Sequence, residues 1–221
     1  MRDTQRSDWV AYACDVGGKG NFAWARASRN GPQLTMEGNT SMNDCVEALQ
    51  HDIGCRAVAI GMECPEFIPI PDEATQLGRG RKNEKDRSCF ASVGASVATL
   101  GLHQLAFILK KIHRRQVSAI FNPAQWQFQP DQLLFWEAFV SKQAHSKEHL
   151  RDAATAASAF MERMEAGRLA SDVFVEEPAE VLSLVGCAVL WAGWSGDLAL
   201  LRQAVVVVKP DRQYRGEIRV L

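Results

Sequence analysis

The sequence has almost no net charge. Its 25 lysines and arginines are balanced by 26 aspartates and glutamates, which leaves −1 at pH 7. A protein with this balance has no global positive field, so any attraction of a polyanion must come from a local group of basic residues. The six cysteines include no C-x-x-C pair. Without that paired spacing a structural zinc site is not expected, and the cysteines are predicted to be reduced thiols.

A signal for export is also missing. Residues 1–10 (MRDTQRSDWV) contain no apolar core of the kind that secretory signals carry. The longest uncharged stretch, residues 88–109, is long enough to cross a bilayer, but several polar side chains interrupt it and no second span accompanies it. We therefore predict a buried helix there, and a cytoplasmic protein with no membrane partner.

What the sequence does contain is the composition of an ordinary globular protein. Of its 221 residues, 47% are hydrophobic and 23% are charged, which supports a sizeable core without disulfides or metals. We predict a single domain over residues 1–221. A helix and a strand in residues 170–221 receive no role beyond packing.

Hydrophobic periodicity predicts an α/β fold. Three β-rich runs at residues 9–15, 21–27 and 33–37 are separated by Gly-rich and Asn-Gly turns, which indicates antiparallel hairpins. A helical pattern at 41–53 leads into an apolar run at 57–62, which is typical of an interior strand covered on both faces. The other predictions are a polar loop at 66–87, helices at 89–113, 145–165 and 181–191, and strands at 117–121, 133–140 and 204–208.

Three acidic residues stand at positions where a carboxylate needs an explanation. Asp15 and Glu63 each end an apolar strand, where an isolated carboxylate is costly unless it lies at a rim or is neutralised. If the two strands are parallel neighbours, both side chains emerge at the same edge of the sheet. Asp152 lies in an alanine-rich helix and faces the sheet if the alanines do. The alternative for Asp15 is an ordinary turn residue, and for Glu63 it is an ordinary acid at the end of a strand. For Asp152 it is a solvated residue of a helix.

The segments around these acids resemble the ribonuclease H-like superfamily. They are ACDVGGKGNFAW (13–24), AIGMECP (59–65) and HLRDAATAASAF (149–160). The pattern is most similar to RuvC-like resolvases and to an uncharacterised family of predicted RNase H-like nucleases, and it covers about residues 9–164. Glu63 is a departure, since that family is expected to carry aspartate there.

The resemblance implies a mixed sheet of five or more strands with helices on both faces, and a metal-dependent nuclease. Asp15, Glu63 and Asp152 would be the ligands of two Mg²⁺ or Mn²⁺ ions and the catalytic carboxylates. Hard divalent ions prefer oxygen ligands, and two of them about 4 Å apart can activate a water and stabilise the leaving oxygen in phosphodiester cleavage. DNA or RNA would be the substrate.

Two histidines accompany the third acid. His145, His149 and Asp152 are spaced i, i+4, i+7, which would place them on one face of a helix. In the resemblance His149 lies beside the metals and would assist catalysis by orienting or protonating a phosphate or water. The alternative is a solvent-exposed histidine at the start of the helix. Glu148 is a spare acid on the same segment.

A basic loop follows the second acid and resembles a loop of the predicted nucleases. Its Arg79, Arg81, Lys82, Lys85 and Arg87 are predicted to grip the phosphate backbone, and the alternative is a solvated surface. A second basic group, at Lys110, Lys111, Arg114 and Arg115, equally suits the C-terminus of a helix.

Two other functions stay open. The D-x-G-G after the first strand also resembles the phosphate loop of actin-like nucleotide-binding proteins, although the chain has no duplicated domain. The other is a non-catalytic RNase H-like scaffold, which would bind a protein partner or form a homodimer. The near-neutral net charge is consistent with it. Neither G-x-G-x-x-G nor a P-loop occurs, which disfavours Rossmann and P-loop proteins.

Overall fold

The structure of the chain is a computed structural model. It describes residues 8–18, 20–84, 88–112, 117–141, 143–176 and 179–221.

Ten strands are formed by the described residues. They are β1 (Trp9–Asp15), β2 (Ala23–Asn30), β3 (Gln33–Asn39), β4 (Ala57–Met62), β5 (Phe67–Ile70), β6 (Ser118–Ile120), β7 (Gln132–Ala138), β8 (Glu180–Ser183), β9 (Val206–Val208) and β10 (Arg219–Val220). The four α-helices of the same residues are α1 (Met42–Asp52), α2 (Ser92–Ile112), α3 (His149–Glu165) and α4 (Leu184–Trp191).

Eight of these strands form one mixed sheet. The order is β10-β3-β2-β1-β4-β7-β6, with β9 also paired to β7. The β1-β2-β3 meander is antiparallel, whereas β4 runs parallel to β1 and β7 runs parallel to β4. Strands β6 and β9 pair in parallel with the first and second halves of β7. The predicted arrangement, three antiparallel strands leading into parallel ones, is confirmed.

Helices cover both faces of the sheet. Alternate residues of β1 point to opposite faces. Tyr12 packs in one core cluster with residues of α1, α2 and α4, and Ala13 packs in another with the alanines of α3. Small side chains on both sides of that second layer let α3 lie close to β1 and β2. The predicted α/β class and the buried interior position of β4 are confirmed.

Helix α2 is long and apolar enough to cross a membrane, and it is the one such helix found in the described part of the chain. This is weak evidence for a membrane segment. Here α2 packs against α1 and α4, and a third of its most apolar window is buried. That packing is compatible with a soluble protein, but α2 is only partly buried, whereas the sequence predicted a buried helix.

Three predicted elements differ from the structure. The loop predicted at 66–87 contains β5, which pairs antiparallel with β8, and β8 occupies the start of the helix predicted at 181–191. The helix predicted at 145–165 begins only at His149, with Glu148 as its N-cap residue. By contrast, the strand predicted at 204–208 is present as β9, which pairs with β7 in the main sheet.

Candidate active site

Strands β1 and β4 bring two of the predicted acids to one edge of the sheet. Their register pairs Cys14 with Met62, and the backbone N–H of Glu63 donates to the carbonyl of Cys14 at 2.7 Å. Asp15 and Glu63 therefore leave the sheet side by side, at its carboxyl edge. Both line a single cavity of about 560 Å³.

Asp15 is buried and paired with a histidine of α3. Only 8% of the residue is exposed, and His149 donates from Nδ1 to Oδ2 of Asp15 at 2.7 Å. Burial raises the pKa of the Asp15 carboxyl from 3.8 to about 6, since the hydrogen bond and charge of His149 only partly offset the loss of solvation. The negative charge of Asp152 raises this pKa further. Asp15 and Asp152 thus lie within electrostatic reach of each other.

Asp152 is held in the same way by the segment that precedes α3. It is 1% exposed and lies in the first turn of the helix, where the helix dipole favours a carboxylate. The backbone N–H of Ser146 donates to its Oδ1 at 2.6 Å, and His145 donates from Nδ1 to its Oδ2 at 2.6 Å. His145 precedes the helix, so the predicted single helical face is wrong, yet both imidazoles reach the neighbouring carboxylates.

The donor set fits a hard divalent cation in its chemistry. Asp15, Glu63 and Asp152 supply carboxylate oxygens, which Mg²⁺ and Mn²⁺ prefer. Their arrangement is less complete, because within the described ranges no three or more His, Cys, Asp or Glu side chains form a group that could hold a metal ion. Asp15 and Asp152 are instead each bound by an imidazole.

A second buried group of acids lies beside this site and was missed from the sequence. Glu137 is the penultimate residue of β7 and pairs with Met62 of β4. It is fully buried and accepts two hydrogen bonds from Arg81 at 2.6 and 2.8 Å. Its Oε2 also accepts the backbone N–H of Glu66 at 2.9 Å. Burial and the charge of Glu137 raise the pKa of Glu66 to about 8, so that Glu66 is largely protonated at neutral pH. An acid inside the apolar run LLFWEAFV was the signal, since such a group needs a partner.

The basic loop does not form one exposed surface. The side chain of Arg81 is 0% exposed and also pairs with Glu84 at 2.7 Å, so the prediction that it contacts a phosphate backbone is wrong. Lys82 is half-exposed and pairs with Glu176, whereas Arg79 is exposed. Lys85 and Arg87 lie outside the described residues.

The other predicted accessory groups lie apart from the carboxylates or are already paired. Lys110 lies over the ring of Trp191, and Lys111 lies over that of Phe107, at the C-terminus of α2. Arg114 and Arg115 lie outside the described residues. Glu148 is 3.5 Å from Arg151.

The cavity that holds Asp15 and Glu63 is mostly apolar elsewhere. The first turns of α2 form one wall, and the residues that end and follow β7 form another. Gly101 lets α2 lie close to the residues that follow β4, because an added Cβ would lie 2.1 Å from the sulfur of Cys64. The acids therefore stand at one side of a compartment with apolar walls.

Comparisons of the chain with protein-family models, curated proteins and solved structures gave no match.

Proposed function

We propose that this protein is a metal-dependent nuclease that hydrolyses phosphodiester bonds of DNA or RNA. The observation that carries the proposal is the meeting of Asp15 and Glu63 at the ends of adjacent parallel strands, in one cavity, with Asp152 close enough to raise the pKa of Asp15. The mixed sheet of more than five strands, with helices on both faces, also agrees with what the RNase H-like resemblance implies.

Asp15, Glu63 and Asp152 would hold Mg²⁺ or Mn²⁺. When bound, such ions lower the pKa of a coordinated water and stabilise the charge on the leaving oxygen. Binding of a cation would be favoured, because a positive charge relieves the unfavourable proximity of the Asp15 and Asp152 carboxylates. The two histidines fix the carboxylates in orientation until then.

His149 is suited to handle a proton. Its Nδ1 is engaged by Asp15, and 47% of its side chain is exposed. Nε2 is therefore the nitrogen that can exchange a proton with water or with a substrate oxygen. Asp15 would orient the ring, as carboxylates commonly do for imidazoles.

The first turn of α2 favours an anion in the cavity. Ser92, Val93 and Gly94 belong to that turn and line the cavity. Backbone N–H groups and the positive end of the helix dipole attract phosphate at such a position.

The test is hydrolysis of single-stranded, duplex, hybrid and branched DNA and RNA by the purified full chain with Mn²⁺ or Mg²⁺. We expect cleavage that a chelator abolishes. Asp15→Asn should reduce the rate by more than the roughly 10–100-fold typical of outer-shell partners of a metal. Asp131→Asn is the matched control, since Asp131 is exposed and precedes β7 at the opposite edge of the sheet, and it should leave the rate unchanged.

A non-catalytic scaffold is the second candidate. It is favoured by the finding that the part of the chain seen in the structure holds no formed group of three metal-ligand side chains. If every DNA and RNA substrate stays intact and calorimetry detects no binding of Mn²⁺, the scaffold is supported and the nuclease is rejected.

A further inference from the structure

The walls of the cavity carry information about the substrate of the proposed nuclease. Away from Asp15 and Glu63, its lining is dominated by Val93 and Val97 of α2, by Val16 after β1, and by Phe139 and Val140 after β7. Its volume of about 560 Å³ lies within the range of about 300–1,000 Å³ that small ligands occupy. A compartment with acids at one side and apolar walls elsewhere suits a ligand of the same two-part character.

A nucleotide has that character, provided that its base is not stacked. The faces of a base are apolar and contact apolar or aromatic side chains when a nucleic-acid strand is single or a nucleotide has left the stack. In a duplex those faces are covered by the neighbouring base pairs. The cavity walls can therefore contact only an unpaired base.

A positive charge lies beside one of these walls. The ammonium group of Lys209 is 4.4 Å from the centre of the Phe139 ring. The backbone N–H of Phe139 donates to Val208, which fixes the segment after β7 to the C-terminal strand β9. The same ammonium group donates to the backbone carbonyl of Asn83, so the lysine that flanks the Phe139 wall is itself held in place by the chain.

Resting on the proposed function, we propose that this cavity binds one unpaired nucleoside of a single-stranded or locally unpaired nucleic acid, next to the phosphodiester that is cut. Among the residues that the structure describes, the polar side chains of the lining besides the two acids are the thiol of Cys64 and the hydroxyl of Ser92. Such walls contact the apolar faces of a base and can form few hydrogen bonds with its edges. The enzyme therefore distinguishes unpaired from paired strands more than one base from another.

Val93→Trp tests the cavity directly. Val93 is 73% exposed at the cavity, so a larger side chain obstructs the entrance without entering the core. Ala95→Trp is the matched control, since Ala95 is exposed on the same turn of α2 and does not line the cavity. Thermal unfolding of both variants checks that the fold is retained.

The measurements are anisotropy of a labelled single strand of about eight nucleotides and of the blunt duplex of the same sequence, and hydrolysis of both. We expect the wild type to bind and cut the single strand at least about tenfold better than the duplex. Val93→Trp should weaken single-strand binding about tenfold or more, a loss of the size that removing one stacking contact gives. Ala95→Trp should change it less than about twofold.

The outcomes separate this inference from the proposed function. Equal binding of single strand and duplex, equal loss in both variants, or no binding of either overturns the nucleoside site. Cleavage of the single strand and the duplex at equal rates would also overturn the nucleoside site, but it would support the proposed nuclease. Single-strand binding that Val93→Trp abolishes, without hydrolysis of any substrate, would support the site and reject the nuclease.

Discussion

Single residues at the carboxyl edge of the sheet are held in unfavourable electrostatic surroundings. Asp15 is buried beside a second carboxylate, and its pKa is raised to about 6 in spite of its hydrogen bond to His149. A group that is harder to ionise in the folded protein than in the unfolded chain reduces stability once the pH is high enough to ionise it. Asp15 therefore costs stability at neutral pH, which is a common property of functional sites.

This cost has a defined dependence on pH. Because the folded protein binds the Asp15 proton more tightly than the unfolded chain, the contribution is favourable at low pH and is lost as the pH rises from about 4 to 6. At pH 7.5, Asp15→Asn should raise the free energy of unfolding by roughly 1–3 kcal/mol, and the gain should fade toward pH 4. Urea unfolding of variant and wild type between pH 4 and 7.5 measures it.

Asp131→Asn, which changes an exposed aspartate, should show no such dependence. A destabilised Asp15→Asn protein at pH 7.5, or a difference from wild type that does not vary with pH, would contradict the assignment of Asp15 as an ionised, poorly solvated group.

At the scale of elements, Arg81 joins the segment that follows β5 to the end of β7. Its guanidinium contacts the carboxylates of Glu137 and Glu84, and it stacks over the ring of Phe67 at 4.6 Å. Through Glu137, which also accepts the N–H of Glu66, the same contacts reach the turn that follows Glu63. Arg81 thus fixes the position of one wall of the candidate site.

Arg81→Met should destabilise the protein by about 3–5 kcal/mol, because it leaves two buried carboxylates without their cation. The adjacent Lys82→Met removes an ion pair whose two side chains are 49% and 61% exposed, and it should cost less than about 1 kcal/mol. Chemical denaturation of the two variants decides between these values. Similar losses in both would show that the Arg81 network is not a major source of stability.

The same elements show what the sequence could predict. Strands β1 and β4 and helix α1 follow from local periodicity, and Ser41 caps α1 by accepting the N–H of Asp44. Strands β5 and β8 do not, since each has four residues, β5 contains a proline, and their partners are more than 100 positions apart in the chain. Arg81 was misassigned because a run of charges does not reveal which member meets a buried acid.

For the whole molecule, the balance of charge limits how nucleic acid can be held. The net charge is −1, Arg81 is buried, and Lys82 is paired with Glu176. Few cations of the described residues near the cavity are thus left to contact phosphates. The proposed nuclease would depend on its metals and cavity for binding more than on a basic surface.

Binding should accordingly respond weakly to salt. A plot of log K against log salt concentration between about 50 and 200 mM should have a slope of roughly −1 to −3, corresponding to a few phosphate contacts. Anisotropy titrations of the labelled single strand give this slope. A value steeper than about −6 would indicate an extended basic interface instead.

The location of the candidate site was predictable to the same degree as the sheet. Asp15 and Glu63 meet because each ends an apolar strand, which periodicity indicates, and because the two strands are parallel neighbours, which the sequence left as a condition. The pairing of His145 with Asp152 depends on the chain path before α3, where the predicted helix does not form. Glu137 enters the neighbourhood through the register of β7, which local sequence does not determine.

The pairing of β9 with β7 has a consequence for how the protein is made. Residues 138–140 border the cavity, and their neighbour in the sheet is residue 208, far later in the chain. During translation at about 5–20 residues per second, Asp15 and Glu63 leave the ribosome many seconds before that partner does. The nascent polypeptide thus carries these acids for an interval without the finished compartment, and the proposed activity would begin only after synthesis has passed β9, which pairs with the end of β7.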